Sequence, residues 1–156
     1  MNLYEFEAKE ILAQYGVPVP EGRIATTPAE AEACARALPG HKFAVKAQIL
    51  AGGRGLAGGV ELAATPSSVQ KIAKRLLGSR LVTAQTRSEG ELVEQVYVET
   101  AVESDRDFFL CVLVDQASAQ ITVLGSTVGG VDFETRVKAE PGIISTLPVA
   151  LNGTFD

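Results

Sequence analysis

Phe43-Ala-Val-Lys-Ala-Gln-Ile-Leu-Ala-Gly-Gly-Arg-Gly-Leu-Ala-Gly-Gly-Val60 decides the reading of this chain. The stretch starts as a strand with a lysine in it. It runs through five glycines between positions 52 and 59 and emerges as a second strand-like run. Successive strand side chains alternate, so Phe43, Val45, Ala47 and Ile49 share one face while Lys46 and Gln48 share the other. Gly53-Arg-Gly-Leu-Ala-Gly58 matches G-x-G-x-x-G. A dinucleotide fingerprint needs a helix after that loop, whereas Val60-Glu-Leu-Ala63 reads as strand. A P-loop needs Gly-Lys-Ser/Thr at its end, and the sequence has none there. What remains is a glycine loop between two strands above a strand lysine, the geometry with which protein kinases cover nucleotide phosphates. Backbone N–H groups without a neighbouring Cβ reach phosphate oxygens, a lysine adds a point charge, and Arg54 adds a guanidinium fork. On spacing alone the same residues also describe a ligand-free surface hairpin, with Lys46 on the exposed face of an edge strand.

Composition narrows the function classes. A chain of 156 residues, 46% hydrophobic and 21% charged, has the length and balance of a globular domain with a core of its own. The net charge of -5 gives no electrostatic footprint for nucleic acid, and no apolar run is long enough to span a membrane. The N-terminus is acidic and lacks an apolar signal core, so neither a secretory nor a mitochondrial address is read there; a bacterial cytoplasmic setting is expected. Cys34 and Cys111 lie far apart and read as free thiols in a reducing compartment. One histidine leaves no zinc site or Ser-His-Asp triad in view. A kinase-like phosphotransferase would need a catalytic Asp-x-x-x-x-Asn loop, and none is present.

The flanking elements follow from local signals. Asn2 with Glu5 three residues on predicts a capped first helix, whose Tyr4, Ala8, Ile11, Leu12 and Tyr15 make one apolar face. Val17-Pro-Val-Pro20 must be extended. Thr27-Pro-Ala-Glu30 and Thr65-Pro-Ser-Ser68 each predict a helix start, with a cap followed by proline. Residues 81–86, 93–99, 107–115 and 120–126 read as strands, 132–139 as a short helix, and 147 onward as loose chain. The expected fold class is α+β with two subdomains: a small nucleotide-clamping unit over 21–100, and an incomplete larger one from 1–20 plus 101–156. Glu99 ends a strand at that boundary, beside Val102. A strand-to-linker crossing there offers an apolar slot and backbone groups for an adenine edge, though a solvated strand end fits the spacing as well. Glu103, Asp105 and Asp107 form an acidic cluster of the kind usually found as solvated loop charge.

In several motifs at once the chain resembles the N-terminal ATP-grasp region of the beta subunit of succinyl-CoA ligase and sibling acid–CoA ligases such as malate–CoA ligase. The resemblance rests on Asn2-Leu-Tyr-Glu-Phe-Glu-Ala-Lys9, Tyr15-Gly-Val-Pro-Val-Pro20, Val45-Lys-Ala-Gln48, Ala51-Gly-Gly-Arg-Gly55, Ala57-Gly-Gly-Val60, Leu77-Gly-Ser-Arg-Leu-Val-Thr83, Val98-Glu99 and Ser126-Thr-Val-Gly-Gly130. It implies a truncated ATP-grasp fold. It implies that Lys46, Gly53, Arg54 and Gly55 contact nucleotide phosphates, and that Glu99 and Val102 lie at the base and ribose end. Asp107 stands where the family usually has glutamate, one methylene shorter. Leu56 replaces a basic residue usual in the loop, and the apolar Pro20 leans toward ATP over GTP. The implied reaction belongs to the tricarboxylic acid cycle: ATP, succinate or a similar dicarboxylic acid and coenzyme A give acyl-CoA, ADP and phosphate. The partner would be an alpha subunit that carries the phosphohistidine. ATP would bind with magnesium, whose ligands are not in this chain, and no catalytic residue is expected here. The chain alone is expected to be inactive; the alternative is a non-catalytic nucleotide-binding or subunit-assembly module. Without nucleotide, the glycine loop is expected among the most mobile segments.

Overall fold

The computed structural model describes residues 2–149. The chain divides into two compact units, one running through Val102 and the other from Glu103. The first contains α1 (Glu5–Gln14), β1 (Gly22–Ala25), α2 (Pro28–Ala37), β2 (Phe43–Ala47), β3 (Val60–Ala63), α3 (Pro66–Leu76), β4 (Arg80–Leu81), β5 (Glu91–Leu92) and β6 (Val96–Thr100). The second contains β7 (Phe109–Asp115), β8 (Gln120–Ser126), α4 (Phe133–Ala139), a 3-10 turn at Pro141–Ile143, and β9 (Ser145–Val149).

The two helix starts read from Thr-Pro pairs form where expected. Thr27 accepts from the Glu30 N–H at 3.2 Å. At α3 the exchange is reciprocal: Thr65 Oγ1 accepts from Ser68 N and Ser68 Oγ accepts from Thr65 N, both at 3.1 Å. Each cap satisfies helix donors that would otherwise have no partner. The helices pack on each other and on one face of a fully antiparallel sheet ordered β1-β6-β2-β3. Between them Phe43, Val45, Ala47, Val96 and Val98 meet Ala31, Ala35, Val69, Ala73 and Leu76 in the core.

Several expectations are corrected. The first helix is capped at Tyr4, not Asn2, and Glu7 accepts from the Tyr4 N–H at 2.8 Å. Glu5 is turned instead toward Lys46 of β2 and Arg54 of the glycine loop. Ile11, Leu12 and Tyr15 of the expected apolar face are exposed. The strand expected at 81–86 is only Arg80–Leu81, because Thr83 and Thr86 close a turn: Thr83 N donates to Thr86 Oγ1 at 2.9 Å and Thr86 N to Thr83 O at 3.3 Å. Residues 2–20, expected with 101 onward, lie in the first compact unit, and ion pairs hold α1 to β2 and β6.

In the second unit, β8 lies between β7 and β9, both antiparallel to it. β9 corrects the loose chain expected from 147. Pro148 disguised it, since proline lacks a ladder donor, but an edge strand tolerates that loss. The expected helix at 132–139 forms as α4, and Phe133 stacks on Phe109 with ring centroids 3.9 Å apart. The part of the loose-chain expectation beyond 149 lies outside the described residues. No helix among the described residues is long and apolar enough to cross a membrane.

Candidate functional site

Strand alternation puts the chemistry on the sheet face opposite α2 and α3. Lys46 of β2 pairs in register with Tyr97 of β6, and Ala44 with Glu99. Because Val45, Val96 and Val98 point to the core, Lys46, Gln48, Tyr97 and Glu99 point the other way. Helix α1 covers this face, with Phe6 stacked on Tyr97 at 6.5 Å and Lys9 Nζ lying 5.3 Å from the Tyr97 ring centroid. Gly22 makes room for that ring, since a Cβ there would lie 2.3 Å from Tyr97 Cζ. Gln48 is buried; its Nε2 donates to the Lys46 carbonyl at 3.1 Å and its Oε1 accepts from the Phe6 N–H at 3.4 Å.

At the end of α1 three cations meet two carboxylates. Glu5 Oε1 lies 2.9 Å from Lys46 Nζ and 3.1 Å from Lys9 Nζ, and Glu5 Oε2 lies 2.7 Å from Arg54 Nη2. Glu99 pairs with Lys46 through one oxygen and with Lys9 through the other. All five side chains are withdrawn from solvent, the most open being 19% exposed, so solvent and salt screen these pairs less than surface ones. Burial pushes the Glu5 carboxyl up; the charge and hydrogen bond of Lys46, then Arg54 and Lys9, outweigh it and hold the group at about 2. Burial pushes the Lys9 ammonium down, and the hydrogen bond to Glu99 with the charges of Glu5 and Glu99 brings it above its ordinary value.

The glycine loop is anchored to this network. Arg54 Nη1 donates to the Ala47 carbonyl at 2.8 Å, and the Arg54 carbonyl accepts from Gly59 N at 2.7 Å. Gly52 N donates to Gln85 Oε1 at 2.8 Å. Gly53 and Gly58 sit at φ +74° and +77°, a region open to glycine and strained for other residues. These bonds anchor the loop at Gly52, Arg54 and Gly59.

Of the predicted site residues, the structure brings Lys46, Arg54 and Glu99 into one network, with Gly53 and Gly55 flanking Arg54 in the loop. Val102 is exposed at the end of the first unit. Asp107 lies in the second unit and accepts from Ser104 Oγ at 3.0 Å. Pro20 lines a groove of about 710 Å³ with Phe6, Lys9, Val19 and Tyr97. Sequence reasoning missed Glu5, Lys9, Gln48, Gln85 and Tyr97 as parts of the site. The i,i+4 spacing of Glu5 and Lys9 was the one local hint, and nothing local joined that pair to Lys46 or Arg54. Chemically, Lys46 and Arg54 suit a polyanion such as a chain of phosphates. Among the described residues no group of three His, Cys, Asp or Glu side chains is arranged to hold a metal ion.

Residues 2–155 match a family model described as an ATP-grasp domain. The chain is 48% identical over 149 residues to the ADP-forming succinate–CoA ligase subunit beta of Wolinella succinogenes, covering 96% of this chain and 38% of that protein. It is 45% identical over 155 residues to the same subunit from a Nitratiruptor species, covering 99% and 39%. The chain thus spans less than two-fifths of the length of these curated relatives. Among solved structures, ATP citrate lyase from Methanothrix soehngenii in complex with citrate and coenzyme A matches with a TM-score of 0.69 at 17% identity, over 97% of this chain and 36% of that one. A dinucleotide-forming acetyl-coenzyme A synthetase from Ca. Korarchaeum cryptofilum matches with a TM-score of 0.65 at 20% identity, over 96% and 60%. At such identities the likeness is one of fold, and the α+β, ATP-grasp class expected from the sequence holds.

Proposed function

The chain belongs to the ATP-grasp domain family, and on that premise we propose that it is the nucleotide-holding part of the beta subunit of an ADP-forming acid–CoA ligase. Lys46, Arg54 and the backbone of Gly53 and Gly55 take the nucleotide phosphates. Glu99 and Val102 serve the base and ribose end, and Asp107 stands at a nucleotide-binding position of the family with a side chain one methylene shorter than the usual glutamate. The observation that carries this reading is the convergence of Lys46 Nζ and Arg54 Nη2 on a single carboxylate, at 2.9 and 2.7 Å. Two cations focused on one anionic group are what a phosphate site requires. The nucleotide is ATP with magnesium, and the metal's ligands lie outside these residues. The acid is succinate or a similar dicarboxylic acid. The partner is an alpha subunit bearing the phosphohistidine, in the cytoplasm. The unit from Glu103 is the opening part of a larger subdomain. By itself this chain binds nucleotide weakly and turns nothing over.

Titration of ATP-Mg into the wild-type chain and Lys46→Ala tests the phosphate site. Loss of one desolvated charge contact should weaken binding by roughly tenfold or more. Equal binding by both proteins, or binding by neither, overturns the phosphate assignment. Turnover without an alpha subunit overturns the assignment of a partner-dependent fragment. The second reading, a non-catalytic module that kept the fold, draws on one observation: Glu5 and Glu99 already partner the cations of the site. Binding by neither protein is the outcome that favours it.

A further inference from the structure

We propose that Glu5 is a built-in competitor of the nucleotide phosphates: its carboxylate sits between Lys46 and Arg54 where an anionic phosphate group would bind, and α1 must release it for the site to fill. The inference deepens the proposed function and rests on it.

Three observations support it. Glu5 spans the two cations with its two oxygens, Oε1 on Lys46 and Oε2 on Arg54, as two oxygens of one phosphate would. With Glu5 in place the network holds three cations and two carboxylates, so an incoming phosphate meets little net attraction and a like charge at its own position. With Glu5 withdrawn, Glu99 alone opposes Lys9, Lys46 and Arg54. A cavity of about 400 Å³ lined by Glu5, Arg54, Leu50, Ala51 and Gly52 adjoins the contact and gives an approach along the glycine loop.

The attachment of α1 is suited to release. No residue of the helix is fully buried, and Ile11, Leu12 and Tyr15 face solvent. Contacts that hold the helix include its ion pairs, a hydrogen bond from the Phe6 N–H to Gln48 Oε1, the Phe6–Tyr97 stack and Lys9 over the Tyr97 ring. Residues 15–21, which join it to β1, carry no regular structure, so α1 can move without breaking the sheet. Competition for the same cations is reciprocal: phosphate loosens α1, and docked α1 weakens phosphate binding.

Inorganic pyrophosphate is the probe, titrated calorimetrically into the wild-type chain, Glu5→Gln and Lys46→Ala, with hydrogen exchange read over residues 5–14. Glu5→Gln should bind pyrophosphate roughly tenfold more tightly than wild type, the scale of removing one like charge from an anion site. Pyrophosphate should also raise amide exchange in α1 of the wild-type chain. If Lys46→Ala loses binding while Glu5→Gln binds no better than wild type, the competition is wrong and the phosphate site stands. If Lys46→Ala binds as well as wild type, or none of the proteins binds, the phosphate site and the competition both fall. Should Glu5→Gln not fold, Glu5→Asp replaces it, since a carboxylate one methylene shorter cannot span both cations and should likewise bind pyrophosphate more tightly. The exchange experiment needs no substitution, and unchanged protection of α1 at saturating pyrophosphate overturns the proposal.

Discussion

On one side of the four-stranded sheet, Phe43, Val45, Val96 and Val98 are buried against the small residues of α2 and the apolar stripe of α3. On the other side, Lys46, Tyr97 and Glu99 of the same strands meet α1 through charges and rings. The strands are shared, and only the parity of the residue number differs. The apolar side is held by a force that is non-directional and grows with the area removed from water. The polar side is held by contacts whose strength depends on ionisation and on the absence of competing anions. The first side therefore behaves as a scaffold and the second as an ion network that competing anions and pH can perturb.

Four changes test that contrast, in descending order of expected effect. Phe43→Ala empties a core position, and urea unfolding should show a loss of about 3–5 kcal/mol, the cost typical of phenylalanine truncation. A much smaller loss would mean that the helices are not packed on that face. Second, the Glu5 carboxyl is held at about 2, below its ordinary 4.5, by Lys46, Arg54 and Lys9, with Glu99 sharing two of those cations. A lowered carboxyl stabilises the fold fully above its unfolded value and loses that contribution as pH falls through its folded value. Between pH 4.5 and 2 the wild-type chain should therefore lose on the order of 3 kcal/mol that Glu5→Gln does not lose. Parallel acid titrations of the two proteins would instead place the carboxylate outside the network.

Third, Gly22→Ala drives a Cβ to within 2.3 Å of the Tyr97 ring. The ring must shift from Phe6 and Lys9, and thermal melts should report a loss of about 1–3 kcal/mol, as for other overpacked sites. Unchanged stability would show that Tyr97 is not fixed beneath α1. The smallest effect belongs to Ile11→Ser. Ile11 is exposed on the outer face of α1, and the change should stay within about 0.5 kcal/mol. A larger loss would mean that α1 is held by apolar burial after all, and the contrast between the two faces would fail.

Legibility in the sequence followed the range of the interactions. Thr27-Pro28 and Thr65-Pro66 announced two helices because a cap acts within three residues of itself. Lys46 and Arg54 were singled out by an apolar strand and a glycine loop a few residues apart. Pro148 concealed β9, because the edge position that tolerates a missing donor is set by distant pairing with β8. The apolar pattern of Tyr4, Ala8, Ile11, Leu12 and Tyr15 suggested which way α1 would face, and the helix docks through Glu5, Phe6 and Lys9 instead.

By itself, then, the sequence determined the helices of the first unit and its strands β2, β3 and β6, the exclusion of the P-loop and dinucleotide readings, and the motifs of the ATP-grasp family. The tertiary structure decided the order β1-β6-β2-β3 and the meeting of Glu5 with Lys46 and Arg54, 41 and 49 residues away in the chain. The reason is physical. Caps, turns and alternation are set by neighbours within a helical turn or a strand pleat, whereas an ion network needs distant segments brought together by the burial of a core in which none of its members takes part.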